Sequence, residues 1–381
     1  MKRMLRRTAA GLGVLLLLAV VAFRLRYGGS GADFPKLAEA RPQQQAEVVA
    51  TLDAPPGNLA VSATGRIFFT THAESRPTVK VHELVDGKPV PYPSLEMQQF
   101  DAARPSYGAV FSLRIDARQR LWSIDHGEHG VFGARLVAVD LATNTVVKHH
   151  VLPADVAGLG SYVQDLQVDR EGRFLYLADI GVLNGRPGLI IVDAESGRAR
   201  RVLDGHPALQ AEPWTINAQG RRMVLLGGLF WMHPAFDPIA LDRRGEWLYV
   251  GAMSSRTLWR VRVADLLDEQ LSADTLGSRV ERYADKPQCD GLTIDDDDTL
   301  YLTGIEDGVV WALKKDKSLV ALAGHPKMRW PDGLAFGPDG FVYVADSDIP
   351  DVMLKSASHI ASAAPFHLFR FKALGPAAAG Q

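Results

Sequence analysis

Apolar and polar residues alternate along most of this chain in short runs broken by turns rich in Asp and Gly. In CDGLTIDDDDTLYLTGIED, the stretch from Cys289, Leu292 and Ile294 precede an acidic turn, and Leu300 and Leu302 follow it. Period-two alternation on both sides of such a turn predicts an antiparallel hairpin. The phrase recurs as PGNLAVSATGRIFFTTHAE from Pro56, AVFSLRIDARQRLWSIDHGE from Ala109, VQDLQVDREGRFLYLADIG from Val163 and FDPIALDRRGEWLYVGAMSS from Phe236. With WPDGLAFGPDGFVYVADSD from Trp330 there are six copies, spaced by about forty to seventy residues.

Further strand-like stretches follow the hairpins, among them RLVAVDLATNTVVKHHVLP, GLIIVDAESGRARRVLD, TLWRVRVADLL, GVVWALKKDKSLVALA and FHLFRFKAL. The repeat therefore holds about four antiparallel strands. Isolated hairpins bury no core, so six separate units are rejected. A four-stranded sheet repeated around an axis is a β-propeller, which leaves only short, protected edges. The expected fold is all-β, a six-bladed β-propeller over residues 32–375, followed by a disordered tail at 376–381. The segment AEVVATLD before the first copy is placed to supply the outer strand of the last blade and close the ring.

The N-terminus breaks the pattern. MKRMLRR precedes an unbroken apolar run from Thr8 to Phe23, then RLRYGGSGADFP. A basic start and a short apolar core predict an export signal or a membrane anchor within residues 1–31, forming an N-terminal apolar helix. Positive residues before the run favour staying inside, which places the rest of the chain in the periplasm or outside the cell, with tethering through residues 8–23 as one form of attachment. Elsewhere the composition is that of a folded globular chain, 47% hydrophobic and 23% charged. A formal net charge of -2 provides no basic field for nucleic acid and no general pull to a membrane, so contact with membrane is expected only through the N-terminal segment. The single cysteine, Cys289, excludes an intramolecular disulfide.

The motifs GRIFFTTHAE…HELVDGKPVPYP, RIDARQRLWSIDHGE, LVAVDLATNTVV, YLADIG, GLIIVDAESGRARRVLDGHP and RWPDGLAFGPDGFVYVAD resemble the yellow/major royal jelly protein family in its bacterial branch, over roughly Ala46 to Leu374. That resemblance implies a six-bladed propeller and is weak for activity, because the family spans dopachrome conversion, binding of biogenic amines and nutritive or structural roles. Where family sequences often read WPDT, this chain reads WPDG. The Asp-Gly phrase is closer to the gluconolactonase/regucalcin propellers, which use a divalent ion held by a few carboxylates and an Asn. Those enzymes also place a Glu at the start of the first blade, where PPGNLA offers Asn58.

Propeller topology brings two sets of residues to one mouth: those starting each first strand and those ending each second strand. The first set is Asn58, Ser112, Asp165, Asp237, Asp290 and Asp332; the second is His72, Asp125 with His126, Asp179, Met253, Glu306 and Asp346. Carboxylates that converge must protonate or share a cation. Clustered oxygen donors suit a hard ion, and Asp290 and Asp332 are the candidate ligands, with Ca²⁺ the expected metal. Asp125, His126 and Asp165 are the candidate catalytic groups. Asn58, His72, Asp179, Asp237, Glu306 and Asp346 are the candidate ligand contacts. Each Asp also has a plain alternative role, capping a turn by accepting backbone N–H bonds. DHGEHG, from Asp125 to Gly130, is the densest polar cluster but lacks the helix a zinc motif needs. HPAF at His233 lies in an insertion placed to overhang the mouth.

The chain carries no Gly-rich phosphate loop, nucleophile elbow or nucleic-acid signature, and neither nucleotide nor flavin is expected. The reading is an exported, monomeric propeller that binds a small aromatic or carbonyl-bearing molecule at the mouth, with tautomerase-like isomerisation of that molecule left open. The alternatives are a divalent-metal-dependent lactonase and a propeller used as a protein-interaction platform.

Overall fold

The computed structural model describes the backbone of residues 2–380 and the side chains of residues 11–380. Six sheets of four antiparallel strands surround a central axis, and the fifth carries one added short strand, Gln44–Gln45, parallel to its outer edge. Their innermost strands are Pro56–Val61, Val110–Ile115, Val163–Val168, Phe236–Leu241, Cys289–Ile294 and Pro331–Phe336, one from each copy of the repeated phrase. Each packs against the next and the last returns to the first. Five blades are built from consecutive strands. The sixth takes its inner three from Pro331–Phe336, Phe341–Asp346 and Phe366–Lys372, and its outer one from Glu47–Leu52. Val48 pairs with Phe369 and Leu52 with Phe366, so AEVVATLD closes the ring as its position predicts.

Six apolar cores form, one between each pair of neighbouring blades. Trp122, Leu136 and Leu166 meet Leu175 and Ile190 between blades two and three. Phe68 and Tyr92 meet Leu113 and Leu121 between blades one and two. Both faces of each inner strand are buried, which is why Leu59, Ala60 and Val61 run as continuous hydrophobics. Fully burying a side chain of this size is worth about 1.5–3 kcal/mol, so the twelve faces of the ring supply the fold without disulfides.

Connections between second and third strands, and from blade to blade, lie at one end, the mouth. The longest is the stretch between the third and fourth blades. It forms two short hairpins, Asn217–Ala218 with Arg221–Arg222 and Val224–Leu225 with Phe230–Trp231. Ile216, Met223 and Met232 of this stretch pack on Met253, Ile305, Trp330 and Ile349, making a lid across the mouth. Ala32–Asp33 runs parallel to Trp214–Thr215 and stitches the N-terminal segment to the lid.

Helix α1 (Lys2–Tyr27) precedes that segment. The apolar run from Thr8 to Phe23 lies partly outside the described side chains, and among the described residues no helix is long and apolar enough to cross a membrane. At the opposite end, residues 376–380 depart from the expectation of disorder. Pro376 O accepts from Asp296 N at 2.8 Å, Gly380 O from Ile115 N at 3.0 Å, and Gly380 N donates to Phe336 O at 3.1 Å. These bonds are all backbone, so the side-chain pattern of GPAAAGQ gives no sign of them.

Candidate functional site

Every inner strand is irregular at the same place. Pairing with the second strand skips between Pro56 and Leu59, Val110 and Ser112, Val163 and Asp165, Phe236 and Ile239, Cys289 and Leu292, and Pro331 and Leu334. A bulge re-aims a side chain out of the alternating pattern. Here the bulges carry Asn58, Asp237, Asp290 and Asp332, and they adjoin Ser112 and Asp165. The glycine after the Asp in blades five and six has its own reason. A Cβ on Gly291 would stand 2.0 Å from Asp332 O, and one on Gly333 would stand 2.7 Å from Asn58 Cα. Asp-Gly repeats because the acid points to the axis while the next residue must let the neighbouring strand approach.

Asn58, His72, Asp165, Asp237, Asp290 and Asp332 line one central cavity of about 10 Å³, together with Phe111, Gln164, Gly57 and Gly291. That is room for roughly one water or one bare ion. Ser112 lies behind it, donating from Oγ to Asp165 Oδ1 at 2.6 Å. Asp165 Oδ1 also accepts from Leu166 N at 2.8 Å, and the Arg114 guanidinium stands 3.7 Å away. Asp290 Oδ2 accepts from Trp330 Nε1 at 2.7 Å, and Asp237 Oδ2 from Gln164 Nε2 at 3.0 Å. His72 Nε2 is 4.0 Å from Asp332 Oδ2.

Burial and mutual repulsion push these acids up. Asp237 is raised well above the carboxylate range by burial and then by the charges of Asp290 and Asp165. Asp290 is raised by burial to about 6, offset by hydrogen bonds from Trp330 and Asp237. The Asp237–Asp290 pair is thereby pushed towards holding a proton. Asp332 is raised by burial and by Asp290, and Asp165 by burial against the pull of Arg114. A second buried cation, Lys286, is occupied by Ser255 O at 2.8 Å and Pro287 O at 3.2 Å. Burial lowers His72 to about 4, leaving a neutral imidazole at neutral pH.

The second-strand acids do something else. Asp125 Oδ2 accepts from Gly108 N at 2.7 Å and Oδ1 from Gly127 N at 2.9 Å. Asp179 Oδ1 accepts from Tyr162 N at 2.6 Å and Gly181 N at 2.9 Å, while Oδ2 takes Arg201 NH1 at 2.7 Å. Asp346 Oδ1 accepts from Trp330 N at 2.6 Å and Arg329 N at 2.9 Å. In blade five Glu306 Oε1 accepts from Asn217 N at 2.7 Å, and burial raises it to about 7. None of these four lines the central cavity. Each ties a connection at the mouth to the end of a second strand.

Aromatic rings roof the cavity. Phe111 meets His72, His126 and Tyr162 at centroid distances of 5.5, 5.2 and 5.1 Å. Tyr162 OH is fixed by Glu74 Oε1 at 2.7 Å. His126 Nδ1 accepts from His129 N at 2.8 Å, and burial lowers the ring to about 3. DHGEHG thus builds the roof and its turn. His233 bonds to Glu212 O within the lid, and Cys289 is a buried free thiol. Phe111, Tyr162 and Gln164 complete the site without having been singled out as ligand groups; in strand-forming sequence they read as packing.

The donor chemistry, four carboxylates and an amide oxygen, suits a hard cation. Among the described residues, however, no group of three or more His, Cys, Asp or Glu is gathered closely enough to hold a metal. Asp165 is turned to Ser112 and Leu166 N, and Asp290 to Trp330, so the ring would have to close around an ion.

A family model described as Major royal jelly protein matches residues 108–334. The fold is similar to a calcium-binding regucalcin from Agrobacterium tumefaciens, at 16% identity and TM-score 0.54, covering 87% of this chain and 97% of that one. It is similar to a gluconolactonase from Xanthomonas campestris, at 12% identity and TM-score 0.52, covering 91% and 95%. A luciferin-regenerating enzyme matches at 12% identity and TM-score 0.53, covering 88% and 98%. These likenesses show the propeller. No curated protein sequence matches the chain.

Proposed function

The chain belongs to the major royal jelly protein family, and on that premise we propose that its central cavity binds a small aromatic or carbonyl-bearing molecule and moves a proton on it. The observation that carries this reading is the pair of buried carboxyls, Asp237 and Asp290, both pushed towards protonation in one cavity beneath a roof of aromatic rings. A carboxyl held near neutrality is matched to general acid work, and its partner carboxylate to general base work. In a tautomerisation Asp237 gives a proton to the substrate while a carboxylate of the same ring takes one from it. Protons balance, and no oxidant is needed. Neutral His72 and Gln164 orient the reacting oxygen, and Asp165 is held in place by Ser112 and Arg114. Asp125 and His126 serve by holding the roof. A ligand larger than water displaces Phe111 and Tyr162 or lifts the lid. We place the protein outside the cytoplasm, attached through α1.

The test is a spectroscopic screen of o-quinones, aromatic amines and enolisable aryl carbonyls with wild type and Asp237→Asn. Binding or tautomerisation lost in the variant supports the reading; turnover unchanged in Asp237→Asn refutes it.

A second reading, a divalent-metal-dependent lactonase, is favoured by one observation, the convergence of four carboxylates on a cavity of ion size. Asn58, Asp290 and Asp332 would then hold the ion, which polarises a lactone carbonyl when bound. Melting with EDTA and then with Ca²⁺, Mg²⁺, Mn²⁺ or Zn²⁺ separates the two, since an ion that binds only the folded state raises the melting point. A shift abolished by Asp290→Ala with Asp332→Ala favours the lactonase.

A further inference from the structure

Large apolar side chains are exposed in one region of the mouth face. Val131, Phe132, Leu159, Leu183 and Leu226 all face solvent, with Leu159 at 75% and Val131 at 62%. All five lie in connections between second and third strands or between blades. The turns joining first to second strands at the other end, such as 169–173 and 295–299, carry none and consist of Asp, Arg, Glu, Gly and Thr.

The five belong to one continuous surface that meets the helix. Phe132 packs on Phe100 with centroids 5.3 Å apart. In the same loop His129 O accepts from Gly160 N at 2.9 Å, and Gly160 O accepts from Leu183 N at 3.2 Å. Leu183 O in turn accepts from the Tyr27 hydroxyl, at the end of α1, at 3.4 Å. The next residue, Gly28, lies so close to the Leu226 loop that a Cβ there would stand 2.8 Å from Gly228 O. The helix therefore leaves the protein through a collar of exposed apolar loops.

The helix itself says what covers that collar. Leu15, Leu16, Leu17 and Leu18 are each more than half exposed, and four consecutive positions reach every side of a helix. A helix apolar all round belongs in a membrane or a large core, not against one protein surface. A protein partner would have to enclose it on every face.

We propose that this part of the mouth face rests on a lipid bilayer, with the apolar stretch of α1 inserted and the Val131, Phe132, Leu159, Leu183 and Leu226 side chains seated in the interface. The twelve residues Leu12–Phe23 extend about 18 Å at 1.5 Å per residue, roughly one leaflet of the hydrocarbon core, and the basic residues that precede them in sequence have to reach an interface. Arg24 and Arg26 fall where the helix meets the headgroups, in reach of lipid phosphates. The attachment is thus an oriented docking through loops as well as helix, not a flexible tether, and it rests on no property of the central cavity.

The test uses the full chain in phosphatidylcholine–phosphatidylglycerol vesicles carrying a nitroxide quencher at headgroup depth. A fluorophore is placed at one introduced cysteine: Leu159→Cys in the collar, Leu25→Cys on the helix, or Arg170→Cys at the far end. The native thiol, Cys289, is buried. Loss of most of the fluorescence at Leu159 and Leu25, with none lost at Arg170, is the expected result. The triple variant Val131→Asp, Leu159→Asp, Leu183→Asp should keep quenching at Leu25 and lose it at a probe on Leu226→Cys. Quenching at Leu25 alone in the otherwise wild-type chain would overturn the proposal in favour of a tether. Protection of Leu159 that follows protein concentration rather than lipid would overturn it in favour of a second copy on this face.

Discussion

Two sets of acids stand at the same end of the propeller, written by the same repeated phrase, and the chain uses them in opposite ways. Asp125 and Asp179 end second strands and have backbone amides on their oxygens, so they are satisfied within the blade. Asp346 takes two amides on Oδ1, but its Oδ2 has no hydrogen-bond partner among the described residues and burial raises it to about 7. Asp165, Asp237, Asp290 and Asp332 start first strands, face one another across a small cavity, and are pushed towards protonation. The difference lies in a bulge. Regular pairing directs the first set back into the connection; the bulge carries Asp237, Asp290 and Asp332 to the axis and adjoins Asp165. One carboxylate in the repeat holds the blade together, and the other stores electrostatic free energy that a ligand, proton or ion can release.

The largest expected effect separates these roles by stability. Asp179→Ala leaves the amides of Tyr162 and Gly181 and the Arg201 guanidinium without their acceptor, and should cost on the order of 3–5 kcal/mol in denaturant unfolding. Asp237→Asn, by contrast, removes a repelled acid. It should leave stability at neutral pH equal to or above wild type while lowering any proton-transfer turnover by roughly 10²–10⁴-fold. If Asp237→Asn destabilises as much as Asp179→Ala, the two sets are not different in kind.

A pH series sharpens the same contrast. Asp290 is raised in the folded state to about 6 from 3.8, so its contribution is fully present below the unfolded value and is lost as pH rises through about 6. Wild type should therefore lose stability relative to Asp290→Asn between about pH 4 and pH 7, by on the order of 3 kcal/mol. His72 and His126 are lowered to about 4 and 3, and their contribution is lost as pH falls from 6.5 towards those values. Both histidines are present in both proteins, so the difference curve reports the coupled carboxyls of the cavity, Asp237, Asp290 and Asp332. The smallest effect is expected from Trp330→Phe, which removes one bond to Asp290 and should cost about 1.5–3 kcal/mol less any relief from protonating that acid, moving its apparent pKa upward.

Much of this was legible before any coordinates. Alternation around Asp-Gly turns names six hairpins, and the leftover strand AEVVATLD names the closure. Propeller connectivity alone brings Asn58, His72, Asp165, Asp237, Asp290 and Asp332 to one end. What the residue pattern leaves out is the direction of each acid, because a bulge of one residue is invisible in alternation while both sets read as Asp at a strand end. The roof is hidden for a related reason: Phe111 and Tyr162 sit in strand-forming sequence, where rings signify packing. The Gly380 bonds at the far end involve backbone alone and leave no side-chain trace.

The most direct test of this protonation is infrared difference spectroscopy of the carboxyl C=O stretch near neutral pH, comparing wild type with Asp237→Asn and Asp179→Asn. The account predicts a protonated-carboxyl component that loses intensity in Asp237→Asn and keeps it in Asp179→Asn, above a background from Glu306 and Asp346, each raised to about 7 by burial. A wild-type spectrum that Asp237→Asn leaves unchanged would contradict it, since the ring would then be ionised and in need of a cation rather than holding a proton.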